Sequence, residues 1–101
     1  MQDPDLTKAQ NQAAALNQLI NLALESESIP KIYCNGFTNA VGNSDVMLVL
    51  QQNGKPAGVV NMSFTIAKTL SQSLKEIIDS IEQKSNQSIM TTYEVEKFLK
   101  P

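Results

Sequence analysis

Residue types that do chemistry are few in this chain, and their spacing follows no catalytic pattern. Cys34 is the single cysteine, and histidine, tryptophan and arginine are absent. A cysteine nucleophile needs a base within hydrogen-bond reach. With no imidazole anywhere, Cys34 reads as a small apolar residue on a buried strand. Paired carboxylates are the next source of acid–base work. Glu76, Asp79 and Glu82 recur along one helix beside Lys68 and Lys75, which is the pattern of a solvated helix face. Asp45 stands alone before a strand, so no metal-ligand spacing exists. Gly36, Gly42, Gly54 and Gly58 form no phosphate loop, and no Gly-Lys-Ser/Thr occurs. The expectation is a protein that is not an enzyme and uses no cofactor and no metal.

Charge and composition narrow the partners. The 101 residues carry eight lysines against ten acidic residues, a net charge of −2, and the charges are scattered. Such a surface has no strong field to draw a phosphate backbone, and the missing arginines remove bidentate clamps. Tyr33, Phe37 and Phe64 near a hairpin offer stacking platforms, so a nucleic-acid-associated accessory role is the alternative reading, and nucleic acid is the disfavoured partner. Nine asparagines and nine glutamines are spread along the chain rather than gathered in a tract, a neutral polar surface. The longest apolar runs, such as Val46 to Leu50, are too short to span a bilayer. Met-Gln-Asp-Pro-Asp lacks the basic and apolar blocks of a secretory signal, and a lone cysteine suits a reducing compartment. These features predict a cytoplasmic protein without a membrane segment.

The elements follow from periodicity. Asp3-Pro4-Asp5 reads as a helix start. Leu6, Ala9, Ala13, Leu16, Ile20 and Ala23 then recur at helical spacing until the Ile29-Pro30 break. Ile32, Cys34 and Gly36 alternating with Tyr33, Asn35 and Phe37 predict a short strand, and Thr38 to Asp45 a polar loop. Val46–Leu50 and Ala57–Met62 flank Asn53-Gly54, the strongest local signal for a two-residue hairpin. That turn predicts Gln52 opposite Lys55, Gln51 opposite Pro56, Leu50 opposite Ala57, Leu48 opposite Val59 and Val46 opposite Asn61. One hairpin face then shows Val46, Leu48, Leu50, Ala57 and Val59, and the other Met47, Val49, Val60 and Met62. Both faces are apolar, so each needs a cover. Ser63 caps a helix whose stripe runs through Ile66, Leu70, Leu74, Ile77, Ile78 and Ile81; Leu48, Leu70 and Leu74 are expected to be buried together. Thr91-Thr92-Tyr93-Glu94 fits a capping box for a short last helix bearing Val95, Phe98 and Leu99.

IYCNGF, then SDVMLVL, a hairpin and VVNMSFTIAKTLSQSLKEIIDSIE together resemble a small bacterial and archaeal domain family of unknown function. Its members read IYSN, a SPSEFVLDF-type strand, a proline-marked cap and HAKRLLxALxxNIxxYE. The likeness covers about residues 31–82 and is sharpest at Tyr33, Asn35, Ser44 through Val49, Ser63, Ala67-Lys68, Leu70 and Leu74. Phe64 stands for the family's proline, Ile66 for its histidine, and Ser80-Ile81-Glu82 lacks its tyrosine. The resemblance implies a hairpin-plus-helix unit with a binding or regulatory role and brings no catalytic residue.

The sequence therefore predicts an α+β fold: an N-terminal helix (1–28), a β-β-β-α core (31–83) with a three-stranded antiparallel sheet and a long amphipathic helix, and a polar joint with a short C-terminal helix (84–101), all within a single domain (1–101). The expected role is that of a small cytoplasmic binding, adaptor or regulatory protein that self-associates as a dimer. Leu16, Leu19, Ile20, Leu22 and Leu24 of the first helix, with Met47, Val49, Val60 and Met62 of the second sheet face, are the expected oligomer or partner contact. The other outcome is a monomer in which Val95, Phe98 and Leu99 cap the surplus apolar surface.

Overall fold

A computed structural model gives the fold. It describes residues 4–100, with side chains from Lys8 onward; the cap expected from Asp3 lies outside the described residues. The order is α1 (Pro4–Glu25), β1 (Gly36–Val41), β2 (Asp45–Gln52), β3 (Lys55–Ser63), α2 (Phe64–Ser85) and α3 (Thr92–Leu99). The three strands form one antiparallel sheet in the order β1-β2-β3. This is the α+β layout that the periodicity predicts. None of the helices is long and apolar enough to cross a membrane among the described residues.

Local chemistry explains where the elements stop. Asn53 and Gly54 both have positive φ (52° and 82°), the left-handed pair that a tight hairpin requires. Ser63 caps α2, its hydroxyl accepting from the Ile66 amide at 3.2 Å. At the other end Asn86 takes the left-handed conformation (φ 55°) and its amide donates to the Glu82 carbonyl. The Glu82 carboxylate accepts from the Ile89 amide at 2.7 Å and so ties the joint back to α2. The expected capping box is present at α3, where Thr91 and Glu94 exchange hydrogen bonds.

Two expectations about the sheet are corrected. The first strand does not occupy Lys31 to Phe37; it starts at Gly36 and runs through Thr38–Val41, the stretch expected as a loop. Its pairing runs from Gly36 opposite Gln51 to Val41 opposite Val46. Gly42 makes the turn that permits this, because its amide donates to the Asp45 carbonyl at 2.8 Å and a Cβ there would lie 2.5 Å from Asp45 Oδ1. The second correction is a β-bulge. Gln52–Lys55 and Gln51–Pro56 pair as expected, but Leu50 then faces Gly58, Leu48 faces Val60 and Val46 faces Met62. Ala57 is the extra residue, and beyond it every β3 side chain changes face.

The bulge re-sorts the sheet. Facing pairs share a side, so Val46, Leu48, Leu50, Val60 and Met62 stand with Phe37 and Val41 on one face, and α2 packs on that side. The other face carries Met47, Val49, Val59 and Ala40 mixed with Thr38, Asn61 and Asp45, and there Asn61 Nδ2 donates to Asp45 Oδ2 at 3.1 Å. It is less apolar than the expected register makes it.

α2 touches only β2 and β3, while α1 and α3 pack on no other element among the described residues. No described residue is buried. Leu48, Leu70 and Leu74 do line one groove, but Leu70 and Leu74 stay exposed, so their burial together is not achieved within one chain. The short last helix does not cap the surplus: Phe98 and Leu99 are exposed.

Candidate association surface

The chemistry-bearing residues are scattered on the surface. Cys34 is an exposed free thiol rather than a buried strand residue, because the strand begins two residues after it. Among the described residues no three of His, Cys, Asp and Glu gather as a metal site. Lys75 and Asp79 form an ion pair at 2.6 Å on the outer face of α2. The hydrogen bond that the Lys75 ammonium donates to Asp79, together with the carboxylate's charge, raises the Lys75 ammonium above its usual range. Both side chains face solvent, as the helix-face reading of these residues requires, and pairs of this kind add little to stability.

The apolar surface is where the residues converge. On the α2 side of the sheet a groove of about 520 Å³ runs between the strands and the helix. Phe37, Val46, Leu48, Leu50 and Met62 form its floor, and Ala67, Leu70 and Leu74 form one wall. Asn39, Ser71 and Cys34 supply its polar edge, and it contains no charged side chain. A second open space, between β1 and α3, is lined by polar residues such as Asn35, Thr38 and Gln51, with Glu96 as its one charged group.

The linker between α1 and the sheet is tied at its far end. Asn35 Nδ2 donates to Asn53 Oδ1 and the Asn53 amide donates to Asn35 Oδ1, each at 2.9 Å. The Asn35 amide also donates to the Gln51 carbonyl at 3.0 Å. Ile32 lies over Gly58, so close that a Cβ at Gly58 would meet Ile32 Cδ1 at 2.8 Å. Nearer the helix, Lys31 Nζ donates to the Ser26 carbonyl.

The nine residues expected to form one contact therefore divide into three groups. Leu16, Leu19, Ile20, Leu22 and Leu24 are exposed on α1, at 53–67% of their full accessibility, and touch no other element. Met47 and Val49 sit half-buried on the sheet face away from α2. The bulge carries Val60 and Met62 to the α2 side, where Met62 lies in the groove floor. Phe37 and Asn39 belong to the groove, whereas the sequence reading puts Phe37 at the end of a strand as a stacking platform and Asn39 in a loop. Alternation of Phe37, Asn39 and Val41 continues past the expected strand end and is the signal that could have found them.

No protein-family model, curated protein or solved structure matches the chain.

Proposed function

We propose that this chain is a small non-enzymatic binding, adaptor or regulatory protein of the cytoplasm that acts as a homo-oligomer, in its simplest form a dimer. One observation carries the reading: among the described residues, two helices of the lone chain dock on no other element and no residue is buried. Its accessible surface is 9201 Å², whereas a folded monomer of 11.1 kDa exposes about 5,700 Å². Soluble monomers rarely show contiguous apolar patches beyond a few hundred Å². Association supplies the missing burial and ties stability to concentration. The absence of histidine and the single cysteine support a role in binding over one in catalysis, and the same lone thiol suits a reducing compartment.

Size-exclusion chromatography with light scattering tests this directly. The expected mass is a multiple of 11.1 kDa that persists at micromolar concentration. A monomer at every concentration overturns the reading. A mobility shift with DNA or RNA that weakens steeply with salt would favour the nucleic-acid-associated alternative instead.

A further inference from the structure

We propose that the groove between the sheet and α2 is filled by α1 of a second copy of this chain, so that two copies exchange helices and complete each other's core. The proposal rests on the homo-oligomer reading above and names the contact that makes it.

Geometry comes first. Three strands spaced about 4.8 Å apart present a floor roughly 10 Å wide, and two helices packed side by side sit about 8–10 Å apart. α2 lies against β2 and β3 and leaves β1 uncovered. One more helix, laid over β1 and against the Leu70–Leu74 flank of α2, covers the sheet face. α1 has the matching length: both helices contain 22 residues, about 33 Å each.

Chemistry agrees. The groove is uncharged, and α1 carries no charged residue from Ala9 to Leu24. A charged helix would lose its hydration there without gaining a partner. Leu16, Leu19, Ile20 and Ala23 form one apolar stripe at helical spacing, and Leu22 and Leu24 widen it to more than half the circumference. Asn17, Gln18 and Asn21 lie on the remaining side, and these neutral groups keep their hydrogen bonds with water.

The occupant is a second copy because the chain's own α1 is held away. The Asn35–Asn53 clasp and the Ile32 contact on Gly58 fix the end of the linker, and the Lys31–Ser26 bond folds its start on itself. From that position α1 reaches no other element of its own chain among the described residues. A two-fold axis allows each copy to fill the other's groove. The excess over a compact monomer, about 3,500 Å² per chain and so about 7,000 Å² for two, is ample for the roughly 2,000–5,000 Å² or more that obligate dimers bury in total.

Disulfide trapping tests the exchange. A full-length chain carrying Cys34→Ser with Leu16→Cys, Ile20→Cys or Ala23→Cys is refolded with a longer, tagged wild-type chain that retains Cys34, and the mixture is oxidised. The expected product is a mixed disulfide joining the two chains, with Gln18→Cys giving about tenfold less because it lies on the opposite helix side. Circular dichroism and light scattering on each variant confirm that it is folded and assembled. Exclusive α1–α1 disulfides, or assembled dimers with no mixed product at any of the three positions, would overturn the exchange while leaving the oligomer. An intrachain disulfide in a single chain bearing both Cys34 and Ala23→Cys would show that α1 covers its own groove, and would overturn the second-copy occupant. A mass of one chain throughout defeats the oligomer reading itself.

Discussion

Ile20→Ala is the substitution whose effect can be worked out most closely. In the isolated chain Ile20 keeps 53% of its full accessibility, and in the proposed dimer that surface leaves water. Complete burial of an isoleucine side chain is worth about 1.5–3 kcal/mol, so half of it contributes roughly 0.8–1.6 kcal/mol at each site. A two-fold dimer contains two such sites, and the loss of about 1.6–3.2 kcal/mol weakens the dimer by roughly 15- to 200-fold. Sedimentation equilibrium over a wide concentration range reads this as a shift in the dissociation constant. Gln18→Ala, on the polar side of the same helix, is the control. It removes no apolar surface and raises helix propensity slightly, so its dissociation constant stays within about twofold of wild type. An unchanged constant for Ile20→Ala would refute the reasoning. So would equal weakening by the two substitutions, because the effect would then follow helix content rather than the apolar stripe.

Other outcomes follow from the sheet and its caps. Gly54→Val puts a β-branched residue at φ 82° and destabilises by about 1–2 kcal/mol, read by urea unfolding with faster amide exchange across β2–β3. Asn35→Ala removes both side-chain bonds to Asn53, costs about 1–3 kcal/mol, and shows as increased exchange at the Asn53 amide. Ser63→Ala deletes the α2 cap for about 1 kcal/mol, measured from the urea midpoint at fixed protein concentration. Val60→Asp lowers that midpoint more than Val59→Asp, because the bulge places Val60 on the α2 side; the opposite ranking restores the unbulged register.

Legibility in the sequence tracked how local the physics was. Asn53-Gly54 announced its turn because few residues accept positive φ, and Ser63 and Thr91 announced their helices through capping chemistry that spans only three residues. The stripe from Ile66 to Ile81 gave α2 for the same reason. The first strand lies further along the chain than its alternation predicts, because Ile32 to Phe37 alternates as well as Phe37 to Val41 does, and only pairing with β2 decides between them. The bulge at Ala57 left no mark, since one inserted residue alters no residue type, yet it exchanged the faces of Val59, Val60 and Met62. The surplus of apolar surface was readable from composition and from the girth of α1. How it divides between α1, the groove and the outer sheet face depends on the register and on contacts across the whole chain.

Small-angle X-ray scattering from the full chain at micromolar concentration tests the central claim, that one chain cannot bury its own core. The expected result is a scattering mass of twice 11.1 kDa and a radius of gyration of about 17 Å, that of a compact body of two chains. A mass of 11.1 kDa, whether with the 18.0 Å radius of the lone open chain or with the about 13 Å of a compact monomer, would contradict it.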